Sequence, residues 1–191
     1  HQLQDEVLLL GSMVEQALLR SVQALKDRDT AVAKKIIRDD QTINEKRYAL
    51  ENAILILIAT QQPMAHDLRL LAAILEVNIE LERMGDYAKG IGKVVIQLED
   101  FELQIPMREI SRMAELAVGM LHRALSAFVT ENATVAHAIP EEDQLVDDLY
   151  NQLESREYPE PVVEKAEEEI KKLAKMHPYS AEAGVIRGYI E

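Results

Sequence analysis

At 191 residues, of which 48% are hydrophobic, the chain is long enough to bury a sizeable core, which excludes disorder as a description of the whole. A formal charge of −13 tells against binding to nucleic acid or to an anionic membrane face, because such affinity comes largely from Lys and Arg. The absence of cysteine removes disulfides, iron–sulfur clusters, thiolate zinc and thiol catalysis, leaves oxygen and imidazole as the metal ligands, and fits a reducing compartment.

With two Phe, no Trp, and Leu, Ile, Ala and Glu dominant, the composition is that of packed helices, and the expected class is all-α. Val7, Leu10, Val14, Leu18, Val22 and Leu25 step by three and four, which puts a stripe on one face of a first helix. The polar break KDRDT follows, with Asp29 or Thr30 as a cap. Val32, Ile36, Ile43 and Leu50 then carry a second long helix that ends near TQQP. Within it, the apolar run Ala53 to Ala59 is far short of the roughly twenty residues that span a bilayer and reads as a buried segment. Pro63 supplies the stop and the first turn of a third helix, expected from Met64 to about Leu98 on Leu68, Leu71, Leu75, Ile79, Ile91 and Val95. Three long helices joined by short turns form an antiparallel bundle over residues 1–99.

Past EDFELQIP, Pro106 opens another helix, and the plan of the first unit starts again. Shifting the chain by 103 residues pairs Leu18 with Leu121, Arg20 with Arg123, Ala24 with Ala127, Val32 with Val135 and Ile36 with Ile139. The same shift pairs Asp40–Gln41 with Asp143–Gln144 and Leu50–Glu51 with Leu153–Glu154. Duplication is the economical explanation, and it places the first two helices of a second unit at residues 100–154. Further on the correspondence fails: Val185 and Tyr189 stand where Glu82 and Asp86 would have partners. The architecture expected is a tandem of three-helix bundles, the second incomplete or completed by an atypical helix within residues 155–191.

Glu82 and Asp86 sit at i and i+4 and share a helix face, with Glu76 and Glu80 slightly to one side. Like charges so placed cost about a few tenths of a kcal/mol per pair unless a cation compensates. The second helix offers Asp40 and Asn44 at the same spacing, and its duplicate offers Asp143 and Asp147. Oxygen ligands paired in this way on adjacent helices suit a hard or borderline cation such as Mg²⁺, Mn²⁺ or iron, and Gly85 leaves room for close approach. Acidic pairs at this spacing are also ordinary on solvated helix faces, and the chain has 34 acidic residues. Both readings fit.

Catalytic machinery is not visible. The residues three before His66, His122, His137 and His177 are Pro63, Gly119, Thr134 and Ala174, so the Glu-x-x-His pairs of diiron bundles are missing. Gly85, Gly90 and Gly92 lie inside a helical pattern with no preceding strand, which fits helix packing better than a phosphate cradle. Ser12, Ser21, Ser111 and Ser126 have no organised His–Asp partner. No enzyme activity is expected.

The stretch TQQPMAHDLRLLAAILEVNIELERMGDYAKGIGKVV, from Thr60 to Val95, resembles the signature of the PhoU family, as does the repetition of DDQTIN as EEDQLVDD. The likeness covers about four fifths of the chain. It implies a tandem of three-helix bundles whose Asp/Glu-x-x-x-Asp motifs bind iron, Mn, Mg or Zn, in proteins that negatively regulate the phosphate-starvation response. It implies a cytoplasmic homodimer without membrane insertion, contacting the ATPase subunit of a phosphate ABC transporter and a sensor histidine kinase. Carried over by position, the metal ligands would be Asp40, Asn44, Glu82, Asp86, Asp143 and Asp147, with Asn44 standing where the family commonly has Asp. After DDLYNQLE the chain departs from that pattern. LAKMHPYSAEAGVIRGYIE resembles the helical piece before the ATPase module of Lon-type proteases, without a Walker motif or protease site. A second reading is therefore a Lon-related recruiting or oligomerisation segment fused to a PhoU-like bundle.

Overall fold

A computed structural model of the chain describes residues 2–101 and 105–155. The tail compared above with Lon-type proteases lies, from residue 156 on, outside the described residues. The described part is all-α: α1 (Gln2–Asp27), α2 (Thr30–Gln61), α3 (His66–Gln97), α4 (Met107–Val129), α5 (Ala133–Ala138) and α6 (Pro140–Glu154). Among the described residues, no helix is long and apolar enough to cross a membrane.

The first three helices pack on one another, and α4 lies against α1. Val7, Leu10 and Val14 of α1, Ile43, Leu50 and Ile54 of α2, and Leu71, Ile74 and Leu81 of α3 form the main core, which Leu121 and Leu125 of α4 join. Packing of this kind drives helices together by removing apolar area from water. Ala24, Leu25, Ala33, Ile36 and Val95 make a second cluster at the other end, closed by Ile105, Met107 and Ile110 from the start of the second unit.

The corner between α1 and α2 is built twice. Arg28 takes a left-handed conformation at φ 53°, and the Asp29 side chain caps α2 by accepting from the Val32 N–H at 2.9 Å. At positions 103 residues later, Glu131 also has φ 53°, and the Asn132 side chain accepts from the Val135 N–H at 3.1 Å. Each cap satisfies an N–H that the helix itself leaves unpaired. The cross-helix ion pair is repeated as well: Arg20 of α1 reaches Asp39 of α2 at 3.6 Å, and its counterpart Arg123 of α4 binds Glu142 of α6.

Four features depart from the sequence reading. Helix α3 starts at His66 rather than Met64, because Gln62 and Ala65 both take positive φ, 47° and 48°, and Pro63 sits in the connection between them. The buried seam of α3 is Leu71, Ile74, Asn78, Leu81, Gly85, Ala88, Gly92 and Val95, while Leu68 and Ile79 are 44% and 43% exposed. A polar and several small residues occupy that seam, so a search for large apolar residues rotates the helix away from it. In the run Ala53 to Ala59, Ile54 is fully buried but Leu55 and Ile56 are more than half exposed, because a helix hides one face at a time. Finally, the second unit's counterpart of α2 is broken into α5 and α6 at Pro140, which occupies the position of Ile37. Proline has no N–H to donate and its ring crowds the carbonyl four residues back, and α5 ends in a three-residue turn, Ile139 N–H to Ala136 O at 3.4 Å.

Glycine sets the spacing of α2 and α3 at two points. A Cβ on Gly85 would lie 3.2 Å from Ile43, and one on Gly92 would lie 3.3 Å from the Ala33 carbonyl oxygen. Gly90, by contrast, has nothing within 4 Å of such a Cβ and is not needed for packing.

Candidate functional site

The close approach of α2 and α3 at Gly85 brings four expected residues to one seam. Asp40 is buried on the inner face of α2, its side chain 6% exposed, and Asn44 lies one turn further on. Opposite them, α3 presents Glu82 and Asp86 on either side of Gly85 in the helical register. Burial and the neighbouring charges of Asp86 and Asp40 hold the Glu82 carboxyl above its ordinary range, while Arg47 and Lys89 pull it part of the way back. Glu82 therefore senses charges from both helices, its own Asp86 and Lys89 and the Asp40 and Arg47 of α2.

Lys89 was not among the expected residues, and it occupies the middle of this group. Its Nζ donates to Asp40 Oδ2 at 2.6 Å and lies 3.4 Å from Asp86 Oδ1. Asn44 donates its amide to the same Asp40 Oδ2 and to the Asp40 backbone carbonyl, both at 3.1 Å. Asp40 Oδ1 is buried and has no hydrogen-bond partner. Lys89 is held protonated more strongly than an ordinary lysine, chiefly by its hydrogen bond to Asp40 and against the effect of burial. A signal for it existed in the sequence. Lys89 follows Glu82 by seven residues and Asp86 by three, so it shares their helix face.

On the neighbouring turn, Asn78 donates its side-chain amide to the Arg47 backbone carbonyl at 3.0 Å and so ties α3 to α2 again. The Arg47 guanidinium pairs with Glu51 at 3.2 Å and lies 4.6 Å from the centre of the Tyr48 ring. Beside Asp40, a cavity of about 210 Å³ opens between α1 and α2, with Gln16, Arg20, Asp39 and Thr42 in its wall.

Asp143 and Asp147 are placed differently. Both are exposed on α6, a helix with no buried residue, and the structure does not bring them to the first four. Among the described residues, no three His, Asp or Glu side chains gather into a group that could hold a metal ion. The first-unit carboxylates do not fit a metal as they stand. The Lys89 ammonium already binds Asp40 and approaches Asp86, and Asn44 donates its amide to the same Asp40 oxygen.

A family model described as the PhoU domain matches residues 7–95 and again 110–177. The second match runs beyond Glu154, where the internal repeat stops being readable. A phosphate-specific transport system accessory protein PhoU homolog of Streptococcus pneumoniae is 35% identical over 150 residues, which cover 78% of this chain and 69% of that protein. The phosphate-specific transport system accessory protein PhoU of Escherichia coli is 32% identical over 148 residues, 78% of this chain and 61% of that one. Among solved structures, the phosphate transport system regulatory protein PhoU from Streptococcus pneumoniae superposes with a TM-score of 0.75 at 30% identity, covering 100% of this chain and 83% of that chain. PhoU from Pseudomonas aeruginosa gives a TM-score of 0.74, also at 30% identity, over 79% of this chain and 73% of that chain. Two successive matches to one family model, on a chain whose two halves share a corner and a cross-helix ion pair, show that this chain belongs to the PhoU domain family.

Proposed function

We propose that this chain is a non-enzymatic regulator of phosphate uptake and phosphate-starvation signalling. It works by protein contact with the ATPase subunit of a phosphate ABC transporter and with a sensor histidine kinase, in the cytoplasm and as a homodimer. The observation that carries the reading is the family match over both repeats, together with relatives named as accessory proteins of phosphate transport. Contact surfaces are compatible with the fold. Tyr48, Leu55 and Ile56 on α2 and Leu68 and Ile79 on α3 leave large apolar area in water. Metal binding belongs to the proposal at the second unit, where Asp143 and Asp147 keep carboxylate oxygens open to solvent; iron, manganese, magnesium and zinc all accept such donors. The support for that part is their spacing and the family likeness.

The test is replacement. A bacterium deleted for its own PhoU relative loses repression of a phosphate-starvation reporter in phosphate-rich medium. Expression of this chain should restore repression and should retain the transporter ATPase on an affinity column. If the Streptococcus pneumoniae relative restores repression and this chain, expressed to the same level, does not, the proposal fails.

A further inference from the structure

The acidic recess of the first unit carries its own cation. Asp40, Glu82 and Asp86 lie along this seam, Lys89 contacts Asp40 and Asp86, and Arg47 and Lys89 are the positive charges acting on Glu82. Lys89 holds the central position: it bridges Asp40 of α2 to Asp86 of its own helix, with its side chain 29% exposed against 6% for Asp40. A salt bridge whose acid is buried depends on its partner, because removal of the ammonium leaves a desolvated carboxylate. The Asn44 amide completes the arrangement by donating to the oxygen that Lys89 also binds. Amide and ammonium hydrogens point at Asp40, so a metal entering the same space would meet two donors and a like charge.

We infer that in this chain Lys89 is the counterion of the first-unit recess, clasping α2 to α3 in place of a metal ion. The inference stands apart from the transport reading, and its failure would leave that reading untouched. It also makes a claim about metal: a metal ion that the full chain carries is not held by Glu82 and Asp86.

Two measurements on the full chain test it: elemental analysis after purification in chelator-free buffer, and thermal unfolding with EDTA or with millimolar Mn²⁺. Metal content should be unchanged by the double substitution Glu82→Gln with Asp86→Asn. Lys89→Met should lower Tm in EDTA by roughly 2–8 °C for a domain of this size. Mn²⁺ should recover most of that loss, and the variant should gain about one metal ion per chain as the vacated acids become available. Loss of metal from the Glu82/Asp86 double variant would overturn the inference, and so would a Lys89→Met chain that folds yet gains neither metal nor Mn²⁺-dependent stability. If Lys89→Met does not fold, the metal content of the double variant decides alone.

Discussion

The two repeats begin alike and end differently. In each, a helix runs into a left-handed corner, an Asp or Asn side chain caps the next helix, and an Arg of the first helix pairs with an acid of the second. In the first repeat α2 then runs unbroken for 32 residues against α3, and six of its residues are buried. In the second, Pro140 splits the corresponding helix, and neither α5 nor α6 has a buried residue. Asp40 and Asp143 are the same residue in the duplicated pattern, yet one is enclosed and ion-paired while the other faces water. In the first repeat the carboxylate of the second helix is joined by groups of the third, Glu82, Asp86 and Lys89.

Substitutions made in both repeats sharpen or break this contrast. The largest difference is expected in the core. Ile54→Ala removes a fully buried side chain and should lower unfolding free energy by about 2–5 kcal/mol in denaturant titration, whereas Leu145→Ala, 52% exposed, should stay within about 0.5 kcal/mol. Equal losses would mean that α6 is as well packed as α2. Next comes the carboxylate itself. Asp40→Ala leaves the partly buried Lys89 ammonium with only its longer contact to Asp86 and should cost about 1–3 kcal/mol, while Asp143→Ala should be close to neutral in the same measurement.

The corners should behave identically. Asp29→Ala and Asn132→Ala each remove one capping bond and should each cost about 1 kcal/mol; a cap that matters in one repeat alone would show that the shared geometry does not carry shared stability.

The smallest effect is a dependence on pH. Glu82 has its carboxyl raised above the ordinary 4.5, first by burial and then by Asp86, so the folded state binds its proton more tightly than the unfolded state does. Stability is therefore lost as pH climbs from 4.5 through the raised folded value. Glu82→Gln removes this loss and should stabilise the chain at pH 7 by about 0.2–0.5 kcal/mol, a figure kept small by solvent screening. Melting curves of the two proteins should converge below pH 4.5, and a gap that persists there would disprove the charge explanation.

Much of this was legible in the residues. The three-and-four spacing of α1 and the gapless shift of 103 residues follow from local chemistry and survive in the structure, which also decides between Asp29 and Thr30 in favour of Asp29 as the cap. The seam of α3 was misread because the side chains that let it approach α2 are Asn78, Gly85, Ala88 and Gly92, residues a hydrophobicity pattern passes over. The break at Pro140 does not follow from the duplication, because Ile37 at the corresponding position of the first repeat lies inside an unbroken helix. At the carboxylate seam, spacing along one helix found Glu82 and Asp86, but the link from Lys89 to Asp40 spans 49 residues and exists only once α2 and α3 are packed.

The duplicated corner has a consequence for how the chain reaches this state. Everything that defines it lies within a few neighbouring positions: the left-handed residue, the cap, and a backbone bond from Asp29 N to Ala24 O at 2.9 Å that recurs from Asn132 N to Ala127 O at 2.8 Å. Short loops of this kind close quickly and lose little entropy in closing. Each corner is thus written into a handful of adjacent residues, and its closure requires no contact between positions far apart in the chain.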